Sequence, residues 1–193
     1  MKAALKKLVK SEGRKLFVLI AILIASLILS ALIYALTGKG TMTVINYETI
    51  SKMTFTEIFL MSFKRNIIYF FAIIFLTCMG QGNLNKILFC FISVYYGLSV
   101  IYIIRTVGMD YKYFMLTFTD YLIFFPILLY FTFISISISK YTKKAKYIET
   151  ISHKFDIIIS GYIKISLFYL LIATVYTFVY SFYVLILSRL MVG

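Results

Sequence analysis

Residues 16–36, LFVLIAILIASLILSALIYAL, run without a single charge. At the rise of an α-helix this run reaches about 31 Å, the thickness of a bilayer's hydrocarbon layer. It limits the fold more than any other feature, because a chain crossing lipid must satisfy its backbone polar groups within helices or a closed barrel. Six basic residues precede it, Lys2, Lys6, Lys7, Lys10, Arg14 and Lys15. A secretory signal peptide starts the same way, but its apolar region spans only about 7 to 15 residues. The segment therefore reads as a retained signal-anchor, with residues 1–15 as a basic cytoplasmic N-terminus.

The rest of the composition agrees. The chain is 62% hydrophobic and 14% charged, with a mean hydropathy of +0.97. Soluble domains hold about 45–50% apolar and about 25% charged residues, so an integral membrane protein is expected. The net charge of +13 would suit nucleic acid, yet the basic residues cluster between apolar runs and have no aromatic-interleaved groove to sit on. They read as orientation signals and as contacts to anionic lipid headgroups, and no nucleic-acid partner is expected.

The remaining segments give an all-α, polytopic membrane bundle of about five transmembrane helices. Residues 37–65 form an extracytoplasmic segment. Within it Ile50, Met53, Phe55, Ile58, Phe59 and Phe63 recur with Lys52 and Glu57 between them, which fits either an amphipathic interfacial helix or a helix entering the membrane. The second span is placed at residues 66–79. It is short, and extends upstream if Lys64 and Arg65 snorkel. GQGNLNK, residues 80–86, follows as a turn, with Gly80 and Gly82 for its backbone and Asn83 and Asn85 to satisfy it; a re-entrant loop is the alternative. The third span is 87–104. The fourth, 114–139, exceeds one vertical crossing, so it tilts or breaks near residues 120–126. A basic cytoplasmic loop at 140–160 precedes the fifth span, 161–188. With the N-terminus inside, both long basic blocks fall on the cytoplasmic side, as the positive-inside rule asks.

Asp120 and Pro126 interrupt the fourth span. A carboxylate facing hydrocarbon is costly, so Asp120 either hydrates a turn or two below the outer face or marks a functional position. Gly82 and Gly97 are read as turn and packing residues; a G-x-x-x-G pair is excluded because position 101 is Ile. Ser135, Ser137 and Ser139 spread around a helix and bond back to their own backbone. Cys78 and Cys90 lie in apolar sequence without C-x-x-C spacing and read as packing residues. His153 and Asp156 sit in a charged loop and read as solvated. No nucleophile elbow, zinc-protease or Walker motif occurs. No catalytic, cofactor-binding or metal-ligating residue is assigned, and no enzyme is expected.

Three stretches, EIFLMSFKRNIIYFFAIIFLTCMGQG, ILFCFISVYYGLSVIYIIRTVGMDYKYF and FFPILLYFTFISISIS, carry a likeness. A polar-start helix, a glycine-bearing turn, a span with a central glycine, a short turn with Gly108 and a proline-bearing span occur in an order that resembles the stage II sporulation protein M family. Ile101 departs from the family's second glycine, and Thr119, Asp120 and Tyr121 stand where the family tends to show Pro-Gln-Asn. The resemblance implies a non-enzymatic scaffold in the mother-cell septal membrane of a sporulating bacterium. Such a scaffold would hold two peptidoglycan hydrolases, the sporulation proteins D and P, during forespore engulfment and cell wall remodelling. Lys52, Glu57, Asp110 and Lys112, in the two outer segments, are the expected partner contacts. The competing expectation is a permease-like subunit of an ABC exporter, with residues 143–155 as the helix that meets an ATPase.

Overall fold

The computed structural model describes residues 2–37, 52–106, 111–146 and 152–192. They form five long helices: α1 (Lys2–Thr37), α2 (Phe55–Cys78), α3 (Gly82–Thr106), α4 (Tyr111–Lys146) and α5 (Ser152–Val192). Each contains a stretch long and apolar enough to cross a membrane. The distribution of residue types is that of a protein dissolved in lipid. Phe17, Ile24 and Leu32 of α1, Phe71 and Phe75 of α2, and Leu167, Leu171 and Val179 of α5 point outward, while Ser26, Ser30, Asn66, Thr77, Ser135 and Thr177 are buried. Polar and small residues between helices with apolar faces outside are what association within a bilayer requires. The chain is a multi-pass membrane protein.

Helices α2, α5, α4 and α3 pack in that order around a common core, with α2 also crossing to α4, and α1 leans on α3 from outside. More than half of α4's apolar window (56%) is buried against 17% for α1, so α4 is the axis of the bundle and α1 a buttress. The core is aromatic: Phe70 meets Phe131 at 4.8 Å between ring centroids, and Phe89 meets Phe125 at 5.4 Å. A second, smaller cluster joins Ile58 of α2 to Val184 of α5, where Phe55 lies 4.4 Å from Phe182.

Several boundaries differ from those expected. The helix that carries the second span begins upstream of residue 66, in line with its extension past Lys64 and Arg65. Thr54 caps a helix that starts at Phe55, its side chain accepting from the Glu57 N–H while the Glu57 carboxylate accepts from the Thr54 N–H at 2.8 Å. This capping box starts the helix eleven positions early, so one continuous helix replaces the choice between an interfacial helix and an entering one.

The turn is shorter than expected too. Gly80, at φ 74°, donates to the Thr77 carbonyl and Gln81 to the Leu76 carbonyl, a Schellman motif that needs a left-handed residue at that place. The chain then enters α3 at Gly82, and the result is a tight hairpin between two full-length helices, with no re-entrant excursion. Asn83 accepts from Lys86, whereas Asn85 is fully buried.

Helix α4 is unbroken from Tyr111 to Lys146 with Pro126 inside it. Proline lacks the N–H for the bond to the carbonyl four residues back and its ring crowds that carbonyl, yet the helix continues through Pro126, which is exposed. The basic segment from residue 140 is divided between helices, since Lys140 to Lys146 continue α4 and α5 begins at Ser152. Of the stretch 143–155 expected to meet an ATPase, residues 143–146 belong to α4 and 152–155 to α5, and 147–151 lie outside the described residues.

Candidate functional site: a charged circuit inside the bundle

The helix start at Thr54 decides where Arg65 goes. Ten residues into α2, it lies about 15 Å along the helix, and its position on the inner face directs it to the core instead of the membrane surface. Its Nη2 donates to Oδ2 of Asp120 at 2.5 Å. Oδ1 of the same carboxylate accepts from the Tyr176 hydroxyl of α5 at 2.7 Å. On the other side, Arg65 Nε donates to Asn66 Oδ1 at 3.2 Å, and Asn66 Nδ2 donates to Thr177 Oγ1 at 3.0 Å. Tyr176 and Thr177 are neighbours on α5, so these bonds close a circuit through α2, α4 and α5. The guanidinium also lies 5.6 Å from the centre of the Tyr96 ring on α3, which brings in a fourth helix.

Asp120 is buried between helices, 3% exposed, and both of its oxygens are bonded. A buried ion pair is costly to desolvate and survives only where the geometry is good and the remaining lone pairs are satisfied. Here Tyr176 supplies the second donor, and Tyr176 is held in turn by stacking on Phe124 and on Tyr180, at 5.7 Å in both cases. A shallow crease between α2 and α5 runs beside Asn66 and Thr177.

Of the four expected partner contacts, the side chains of Lys52 and Glu57 are among the described residues. Lys52 is exposed. Glu57 is exposed and engaged in the Thr54 capping box. Asp110 lies outside the described residues; Lys112 is in the first turn of α4, and its side chain lies outside them. Gly82 packs against α4 so tightly that a Cβ there would collide with Ser139 Oγ, and a Cβ on Gly97 would come within 2.6 Å of Ser30 Oγ on α1. The glycines are thus sites of helix contact. His153 and Asp156 fall at the start of α5 and their side chains are outside the described residues. Among the described residues no group of three or more His, Cys, Asp or Glu could hold a metal.

Arg65, Asn66, Tyr96, Tyr176 and Thr177 were not anticipated as a site. The signal that would have found Arg65 was the T-x-x-E of Thr54 and Glu57, a helix-start signature that makes Arg65 an interior residue. At the opposite end of the bundle a neutral cluster forms. Asn85 donates to Thr77 Oγ1 at 2.8 Å, Thr142 donates to the Thr77 carbonyl at 3.1 Å, and the Ser135 and Tyr162 hydroxyls are 2.9 Å apart. No protein-family model, curated protein or solved structure matches this chain.

Proposed function

We propose that the chain is a non-enzymatic scaffold in the cytoplasmic membrane of a bacterium, N-terminus inside, that gathers peptidoglycan hydrolases at the septal membrane during engulfment. The reading rests on the resemblance to the stage II sporulation protein M family. The observation that carries it is the charged circuit, in which Arg65 and Asn66 of α2, Asp120 of α4, and Tyr176 and Thr177 of α5 are bonded to one another across three helices. Such a circuit fixes the helices in relation to one another, which suits a platform for partners better than a moving carrier. The catalysis belongs to the partners, and the segment before α2 and the turn between α3 and α4 are the places where they dock.

The test is recovery of the tagged protein from detergent-solubilised membranes with its partners identified by mass spectrometry. Peptidoglycan hydrolases are expected, and charge reversal at Lys52 and Glu57 should reduce their recovery. An ATPase subunit in their place would overturn the scaffold and favour the ABC exporter reading.

A further inference from the structure

The apolar stretch of α5, Ile159 to Arg189, has 31 residues and reaches about 46 Å, well beyond the roughly 30 Å of a bilayer's hydrocarbon layer. Lys164 stands inside it. This lysine is exposed, between the exposed Ile163 and Ile165 and shortly before the exposed Leu167, Phe168 and Leu171. Tyr162, two residues earlier, turns its hydroxyl inward to Ser135. Two positions are about 200° around a helix, so Lys164 faces away from the other helices and toward lipid. Its charge is unanswered there: the two acids whose side chains are described, Glu57 and Asp120, are engaged by Thr54 and Arg65. The turn before Lys164 is bare. Ser160 and Gly161 are exposed, and a Cβ added to Gly161 would meet nothing within 4 Å. Residues three and four apart adjoin on a helix surface, and a long side chain covers the turn N-terminal to its own Cα. The Lys164 stem therefore runs across Gly161 and carries the ammonium toward Ser160. That direction leads out of the hydrocarbon, since residues 165–188 carry no charge and fill the membrane on the other side.

We propose that Lys164, Ser160 and Gly161 seat the headgroup of one anionic phospholipid, with its acyl chains along Leu167, Phe168 and Leu171. The lysine ammonium and the serine hydroxyl both donate, and a headgroup phosphate offers the acceptors. A zwitterionic headgroup would bring its own ammonium next to Lys164, whereas a lipid with one net negative charge leaves the pair neutral. Snorkelling alone requires only a flexible stem. The vacant place at Gly161 is what turns a snorkelling lysine into a seat, because there a phosphate can approach the helix closely. The site concerns lipid and stands apart from the hydrolase partners, so its failure leaves the scaffold reading as it is.

Local fluorescence quenching in vesicles that hold the full chain tests it. A bimane fluorophore is placed at Leu171→Cys in a chain carrying Cys78→Ser and Cys90→Ser. Phosphatidylglycerol or phosphatidylcholine, each with the same nitroxide-labelled acyl chain, is then mixed into unlabelled phosphatidylcholine. Labelled phosphatidylglycerol should reach half-maximal quenching at about one-fifth of the fraction that labelled phosphatidylcholine needs, the factor expected for one lysine beside an anionic lipid. The same fluorophore at Ile28→Cys, on the exposed face of α1, should show no such preference. Lys164→Gln should abolish the preference at residue 171. Gly161→Leu fills an open surface and keeps every charge, and should abolish it too. Equal quenching by the two lipids, an equal preference at residue 28, or a preference that survives Lys164→Gln would overturn the site. So would a preference lost in Lys164→Gln and retained in Gly161→Leu, which would show diffuse attraction to the lysine without a seat.

Discussion

Around Arg65 the helices are joined by bonds from side chain to side chain that carry charge, and four helices meet there. Around Asn85, at the other end of the same bundle, they are joined by hydroxyls, one amide and the contact of Gly82 with Ser139. Most of the hydroxyls at that neutral end also bond to their own helix, as Thr77 does to the Ile73 carbonyl and Ser139 to the Ile136 carbonyl. Losing a partner at the neutral end leaves a group that can still bond at home. Losing one at the charged end leaves an ion in a low dielectric. The two ends should therefore respond very differently to the removal of one side chain.

The largest expected effect is at the charged end. Asp120→Ala strands Arg65 and should cost about 3–5 kcal/mol, whereas the pair Arg65→Met with Asp120→Leu should recover most of the loss, because an apolar pair of similar volume replaces a buried ion pair at little or no net cost. Unfolding in micelles, followed by circular dichroism, measures both. If the single variant were as stable as wild type, the charged end would be no different in kind from the neutral one.

Next is the glycine contact. Gly82→Ala drives a methyl group into Ser139 and should cost about 1–3 kcal/mol by overpacking. Adding Ser139→Ala removes the atom it strikes and should restore stability in the same assay. A Gly82→Ala variant that Ser139→Ala did not rescue would show that the neutral end depends on the serine bond and not on close approach. The smallest effect belongs to Thr142→Val, which removes one hydroxyl bond across to the turn. Single hydrogen bonds between membrane helices average about 0.6 kcal/mol, and a loss much larger than that would narrow the difference between the two ends.

The difference also explains what could be read from the sequence. The five spans were legible because the lengths of uncharged runs report bilayer thickness directly, and α1 shows this most plainly. The charged end was obscured by the same logic. A run broken at Lys64 and Arg65 reads as a span that ends there or that extends with both residues snorkelling, and neither reading turns Arg65 toward the other helices. Only the capping box at Thr54 carries contrary local information. The pairing of Arg65 with Asp120, 55 positions apart, has no local signature at all, since it depends on which faces α2 and α4 turn to each other. Asp120 was noticed because a lone acid in an aromatic run is conspicuous, but its partner could not be named from the run itself. The neutral end was partly legible, because Gly80 in a short polar turn signals a left-handed helix stop, though nothing in GQGNLNK distinguishes the buried Asn85 from the exposed Asn83.

The separation of Arg65 from Asp120 along the chain also sets an order of assembly. During synthesis α2 reaches the membrane before α4 has been made, so Arg65 enters without its counter-ion. A lone arginine near the middle of a nascent span disfavours lateral release into lipid by about 2.5–3.5 kcal/mol. That is enough to hold the α2–α3 hairpin near the insertion machinery, or tilted toward the headgroups, until Asp120 emerges. Helix α1, uncharged from residue 16 to 36, has no such reason to wait. The ion pair thus sets α1 apart: it carries no buried charge that waits on a later helix, whereas α2 meets its counter-ion only once α4 has been made.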